Sequence, residues 1–426
     1  MSQSTLVETS AQLNGARQLT SCRLVGARVA LDADSAVKAD VEICNGRIVA
    51  IRTVRPGAGK VSSVQLSKPF STIDLSGYLL LPGLINAHDH LEFNLFPRLG
   101  RGPYVNFEEW ANDVYRPQRP PLREQLQVPK PIRYWWGVLK NLFSGVTTVC
   151  HHNAAIPHTL ARSFPVRIVE RYGWAHSLAF GGDVRKAFLS TPPGSPFIIH
   201  LAEGSDKRSQ NEIFRLDQMQ ALASNSVVVH GVGLDQAGHS LIEQRGAGLI
   251  WCPTSNVFTL GRTLNGTEIE QHKKVALGSD SALTGQGDLF DEIRFASDHA
   301  RVDLKRIYSL VTDSAAKVLR LKNGRGAICV GGPADMLVVS DTGGRPCTRL
   351  SQATARDLEV VMVGGRPKLI SAAAAGRWPR AALNAFEVIR VGNFEKLVQA
   401  PIRQLLEGTR RHLGKEIFLA GKRVTA

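Results

Sequence analysis

Seven short apolar runs, each ending on polar residues, dominate the stretch from Leu79 to Ser281 of this 426-residue chain: LLLPGLINAHDH, GVTTVCHHN, VRIVERYGWAHS, PFIIHLAE, SVVVHGV, GLIWCPTSN and VALGSDS. Helical patterns separate them. From His200 to His230 is 30 residues, from His230 to Pro253 is 23, and from Pro253 to Asp280 is 27. That spacing is the length of a strand, a loop, a helix and a return, so the runs read as parallel strands of successive βα units. Seven or eight such units over about 240 residues predict a (β/α)₈ barrel. One interval is compressed. From Val166 to Phe197 there is room for a strand, a short helix and little else, so either AHSLAF forms an abbreviated fourth strand or that unit is degenerate.

Both ends of the chain follow another pattern. VEICNGRIVAIR alternates around Asn45-Gly46, a pair that tolerates the positive φ of a two-residue hairpin turn. LEVVMVGGRPKLI repeats the signal around Gly364-Gly365, and GGPADMLVVSD reads as a turn followed by a strand. Strand-rich ends around a βα middle predict one small sheet domain built from both termini. Past it, FEKLVQAPIRQLLEGTRRHLGKEIFLAGKRV has helical patterning and is expected to dock on the barrel or on another subunit. Residues 97–131 hold seven of the 21 prolines together with Tyr104, Phe107, Trp110 and Tyr115. This irregular excursion is of the kind that covers a functional site.

Composition narrows the function classes. Residues 1–20 lack the apolar core of a signal peptide, and no apolar run reaches the roughly 18 residues of a membrane span. The six cysteines are scattered without a CxxC pair, which suits a reducing, cytoplasmic setting. The net charge of +15 is spread along the chain without a nucleic-acid-binding motif, so it reads as a generally basic surface. Its densest run, Arg377 to Arg423, sets ten Lys/Arg against four Glu within amphipathic structure.

The polar run ends carry the chemistry. His88 and His90 lie two apart on a strand, so both side chains leave on the same face. At the C-terminal end of a barrel strand, that face is the active-site mouth. Other runs end near His200, His230 and Asp280. Imidazole and carboxylate suit a borderline cation such as zinc, and a catalytic site leaves one position open for water. His88, His90, His200 and Asp280 can supply that shell. His151 and His152 are adjacent and leave on opposite faces, so at most one lines the site; His176 is a further candidate. Trp135 and Trp136 in RYWWGVLKNLF are expected to pack a helix against the barrel.

The ordered series LPGLINAHDH, GVTTV, HLAE, CPTSN and LGSDS, with GGPADMLVV after it, resembles the amidohydrolase superfamily, in its branch of metal-dependent aminohydrolases (deaminases) and triazine chlorohydrolases. The likeness spans almost the whole chain. It implies an α/β protein: a distorted (β/α)₈ TIM-like barrel over 81–324, a β-sandwich domain formed from both termini (1–80 and 325–375), and a C-terminal extension over 376–426. It also implies one divalent metal ion, zinc or alternatively iron, on His88, His90, His200 and Asp280. Glu203 matches the proton-shuttling glutamate of the deaminases. His230 matches a histidine beside the reactive water, which in some relatives is also a ligand. Asn256 falls where relatives hold or frame the substrate. Dinuclear members bridge their metals through a fourth-strand lysine; here Lys186, the only lysine between 166 and 199, lies in a helical stretch, so a single metal is expected. No fourth-strand substrate-binding histidine is identifiable.

The reaction expected of such a shell is attack of an activated water on an sp² carbon bearing an amine, with Asp280 taking a proton, His230 orienting the nucleophile and Glu203 protonating the leaving side. That describes a hydrolase of non-peptide C–N bonds, a deaminase of a small, cyclic, nitrogen-rich molecule. Amide, formimino or halide hydrolysis would use the same shell, and a catalytically inactive barrel scaffold is the alternative outside catalysis. Trp110 is a candidate to stack on a flat substrate, and Arg101, with Arg98 and Arg119, to meet an anionic group. The expected partners are the small-molecule substrate and, as in the family, a second copy of the chain, with neither nucleic acid nor membrane.

Overall fold

The computed structural model describes residues 21–53, 71–180, 182–414 and 416–426; the reading of residues 1–20 lies outside them. Eight strands form the barrel: β1 (Leu84–Asp89), β2 (Val146–His151), β3 (Arg167–Ile168), β4 (Gly173–Ala175), β5 (Phe197–Leu201), β6 (Ser226–His230), β7 (Gly248–Trp251) and β8 (Val275–Leu277). They make two parallel arcs, β1-β2-β3 and β4 to β8 in sequence order. The second arc returns to the first at the mouth, where the N–H groups of Ser279 and Asp280 both donate to the His88 carbonyl at 3.1 Å. The strands are aliphatic almost throughout because both faces are covered, one by helices and one by the barrel interior.

That interior is a separate apolar cluster containing Ile85, Ala87, Cys150, Ile198, Val227, Val229, Ile250, Cys252 and Ala276. Phe197, Ile199 and Leu201 of β5 belong instead to the cluster packed under the helices. The two-residue strand period therefore sends His200 inward with Ile198. The compressed region holds a complete but short fourth unit. Its strand is GWA, whose last residue, Ala175, is the first of AHSLAF, and its helix is Val184–Leu189. AHSLAF itself is not a strand, because the chain turns away from the barrel directly after Ala175.

The remaining strands join one mixed 13-stranded sheet from both ends of the chain. Its junction is the antiparallel pairing of Tyr78–Pro82 with Met336–Ser340. Alternation decides what each face touches. Leu79, Leu81, Leu337 and Val339 pack with the barrel's helical layer, whereas Leu80, Met336 and Val338 enter the small domain's own core. Asn45 (φ 49°) with Gly46 (φ 78°), and Gly364 (φ 57°) with Gly365 (φ 73°), make the two expected tight turns.

The strands Glu387–Val391, Phe394–Val398 and Lys422–Thr425 extend the same sheet. Helix Ile402–Leu413 docks on the barrel helix Lys130–Phe143 of its own chain, where Trp136 Nε1 donates to Thr409 Oγ1 at 2.7 Å. Gly408 permits that approach, since a Cβ there would sit 2.4 Å from Ile132 Cδ1. Trp135 and Trp136 are both fully buried, Trp135 edge-on against Phe164 and Trp136 toward the C-terminal helix rather than the barrel. The proline-rich excursion is more ordered than its sequence suggests, with helices at Phe107–Val114 and Leu122–Gln127. No helix among the described residues is long and apolar enough to cross a membrane.

Candidate active site

Three imidazoles meet at the barrel mouth. His200 Nε2 lies 3.3 Å from His88 Nε2 and 3.3 Å from His90 Nε2. Ligand atoms at about 2.0–2.1 Å from one tetrahedral cation would stand about 3.3–3.4 Å apart, so the spacing fits a shared ion. Burial, reinforced by neighbouring imidazoles, holds His88 and His200 well below the usual histidine pKa, so both present lone pairs rather than protons. His200 Nδ1 donates to the His176 carbonyl at 2.8 Å, which directs its Nε2 toward the cluster.

The strands aim these groups by local irregularity. In β1, Ile85 and Ala87 both face the interior, and a shift in pairing between Asn86 and Asp89 then turns His88 inward as well. Gly278 leaves room for it, since a Cβ there would lie 2.7 Å from His88 Cβ. On β6, Val227 and Val229 face inward, so regular alternation would send His230 out. A positive φ of 75° re-aims it, and Asp280 has a φ of 52°.

Asp280 Oδ1 is 3.9 Å from His88 Nε2 and 3.8 Å from His90 Nε2. Its other oxygen accepts from Ser255 Oγ at 2.7 Å, and Oδ1 accepts from the Ser281 N–H at 2.6 Å. Burial opposes its ionisation, but His90, His230 and these donors outweigh it and hold the carboxyl below its ordinary pKa. Glu203 is not a surface carboxylate. Its Oε2 lies 3.5 Å from His230 Nε2, and burial pushes its pKa up to about 7 against the opposing pull of His230.

The Asn256 carboxamide is engaged within the protein at both of its polar atoms. It is buried in helix Pro253–Leu260, where its Oδ1 accepts from His230 Nδ1 at 2.7 Å and its Nδ2 donates to Thr263 Oγ1 at 3.1 Å. This bond fixes the proton on Nδ1 and leaves Nε2 of His230 facing Glu203.

Of the adjacent pair, His152 joins the cluster, its ring centroid 4.3 Å from that of His200. His151 faces outward to Glu92, at 3.6 Å. His176, directly after β4, lies with its ring centroid 4.8 Å from that of His200 and tilted 54° to it, so the short fourth unit does supply a histidine at the mouth. The signal was present in GWAH, one residue past the strand end. Lys186 is exposed on its helix.

Trp110 and Arg101 make no hydrogen bond, ion pair or ring contact with this cluster among the described residues. The Trp110 indole N–H is spent on the Leu99 carbonyl at 2.9 Å, which braces the excursion, and Arg101 is exposed. Aromatic groups that do flank the cluster include Phe107, 6.1 Å from the His176 ring, Phe180, 5.7 Å from it, Phe93 beside His90 and Trp174 beside His152.

Beneath the histidines lies a buried polar network that sequence reasoning missed. Lys140 Nζ donates to the Asp280 carbonyl at 2.8 Å and to Ser279 Oγ at 3.1 Å, and stands 3.2 Å from Asp89 Oδ2. Asp89 also accepts from Asn94 and Asn141, each at 2.7 Å, and Asn86 donates to Asn141 and Ser279, each at 2.8 Å. A lysine amid RYWWGVLKNLF, where nearly every neighbour is buried, was the available clue.

Fold and mouth together define a barrel hydrolase whose reactive groups sit at the C-terminal ends of the strands. Residues 194–368 match the Amidohydrolase family. A 5-methylthioadenosine/S-adenosylhomocysteine deaminase of Syntrophobacter fumaroxidans is 23% identical over 380 residues, covering 71% of this chain and 85% of its own. An adenosine deaminase from Xanthomonas campestris with bound zinc superposes with a TM-score of 0.65 at 17% identity, covering 92% of this chain and 97% of that one. An atrazine chlorohydrolase from Arthrobacter aurescens, complexed with zinc, gives 0.63 at 15% identity over 81% and 94%. Over residues 194–368 the chain is thus similar to the amidohydrolase family, and its relatives include deaminases.

Proposed function

We propose that this protein is a metal-dependent deaminase of a small, cyclic, nitrogen-rich molecule, with one zinc ion held by His88, His90, His200 and Asp280. The observation that carries the reading is geometric: the Nε2 atoms of His88 and His90 each lie 3.3 Å from His200 Nε2, Asp280 stands 3.8 Å from His90, and the Glu203 carboxyl faces the same mouth, 3.5 Å from His230. Three nitrogens and one carboxylate oxygen suit zinc. A divalent cation bound there supplies the acidification of a water at neutral pH.

The chain's own groups do the rest. Asp280, ionised and braced by Ser255 and Ser281, accepts a proton at its carboxylate. His230, its Nδ1–H fixed on Asn256, orients the attacking oxygen through Nε2. Glu203 holds a proton that it delivers to a ring nitrogen or to the departing amine, which leaves as ammonia. Phe107 and Phe180 offer apolar faces beside the mouth to a flat ring. The six unpaired cysteines fit a reducing, cytoplasmic setting.

The test is ammonia release by purified, metal-analysed protein on aminopurine nucleosides, including 5-methylthioadenosine and S-adenosylhomocysteine, and on pterins and triazines. Turnover of at least one class with about one zinc per chain is expected. Silence across all classes in a zinc-replete sample would sink the deaminase reading.

A further inference from the structure

At the opposite end of the barrel lies a cavity of about 840 Å³ between the barrel foot and the two tight turns of the small sheet. It is lined by residues before, within and just after β3, by Pro193–Pro196 before β5, by Leu319–Asn323 with Arg325, and by Asn45–Arg47 with Val363, Gly364, Arg366 and Lys368. Nine Lys or Arg side chains line it, against a single carboxylate, Glu170. We propose that this cavity is a second, non-catalytic site for a small polyphosphate anion.

The charges are not spent on one another's behalf. Arg167 pairs with Asp335 at 2.9 Å. Among the described residues, the Arg47 side chain donates to the Gly331 carbonyl, Arg320 to the Ser224 carbonyl and hydroxyl, and Arg325 to Thr148 Oγ1 at 3.4 Å, none of them a carboxylate. Lys368 is half-buried in the wall with its Nζ on Gln399 Oε1, and burial together with Arg366 and Arg167 brings its pKa down to about 8. A wall of like charges around one half-open cleft repels itself and attracts an anion into the space between.

Seven of the nine cations are arginines, whose planar forks match phosphate oxygens two at a time. The volume is that of a small-molecule site. A nucleic-acid chain is disfavoured because the only aromatic side chain in the lining, Phe164, is buried against Trp135 and offers no stacking platform. The cavity sits at the N-terminal ends of the strands, away from the histidine cluster, so its occupant takes no part in the chemistry there.

The test is calorimetric titration of the full chain with inorganic tripolyphosphate, ATP and AMP in about 150 mM salt, where surface attraction is screened. Saturable one-to-one binding of tripolyphosphate is expected, weakened about tenfold or more in Arg325→Gln. Because Arg325 is half-buried, the exposed pair Arg47→Gln/Lys322→Gln provides a second variant, with the same direction expected and circular dichroism as the folding check. Tripolyphosphate and ATP binding alike assigns the site to a phosphate chain, and ATP binding about tenfold tighter assigns it to a nucleotide; both uphold the proposal. No saturable binding, unchanged affinity in both variants, or binding of single-stranded DNA without tripolyphosphate would overturn it.

Discussion

Replacing Gly278 by alanine puts one methyl group against the proposed metal site. The added Cβ would lie 2.7 Å from His88 Cβ, 3.1 Å from its backbone nitrogen and 3.0 Å from Cys252 Sγ. Carbon atoms rest at about 3.5–4.0 Å, so His88 must retreat by about 1 Å. A nitrogen–zinc bond is only about 2.0–2.1 Å long, and a displacement of half that length breaks or distorts the coordination. Overpacking of this kind costs about 1–3 kcal/mol of stability, and disturbing a ligand's support costs about 10–100-fold in metal affinity. The assay is competition with a chromophoric chelator, alongside thermal unfolding with and without added zinc. Gly376→Ala is the control, because a Cβ there meets nothing within 4 Å. Unchanged zinc affinity in Gly278→Ala would refute the reasoning that His88 holds the ion from a position with no slack.

Three further outcomes follow from the same geometry. Glu203→Gln should lower kcat about 10²–10⁴-fold with little change in KM. Since the protonated carboxyl is the donor and its pKa is about 7, kcat/KM of the wild type should fall as pH rises through 7, a limb absent from the variant's residual activity. Asn256→Leu should lower kcat about tenfold or more by releasing the His230 tautomer, with KM nearly unchanged; a selective rise in KM would instead restore Asn256 to substrate contact. Lys140→Met should cost about 3–5 kcal/mol in denaturant unfolding by leaving Asp89 as an unpaired buried charge, and Lys140→Met/Asp89→Asn should regain most of it. Equal stability of the two variants would contradict the pairing.

Much of the barrel was legible because its strands are buried on both faces and end on reactive residues at regular intervals. The small sheet was legible from two turn dipeptides whose φ values few other residues tolerate. The fourth strand was misplaced because three residues, GWA, carry too little periodicity to mark a strand. Asn256 was misassigned because the linear motif CPTSN does not say which neighbour its carboxamide will meet. The answer, His230, is 26 residues away and becomes a neighbour only when β6 and β7 pair. Lys140 escaped notice for a like reason, since its partners Asp89, Ser279 and Asp280 come from β1 and the loop after β8.

By itself, then, the amino-acid order determined the element sequence and the placing of His88 and His90 at the end of one strand, because both follow from apolar patterning and local propensity. Which way they face, however, was decided by the pairing shift in β1, and the direction of His230 by a left-handed turn against its strand's alternation. Those are properties of ladders between strands distant in sequence. The same holds for charge. Composition announced an excess of cations, but only the packing of the small sheet against the barrel foot gathered nine of them around one cavity.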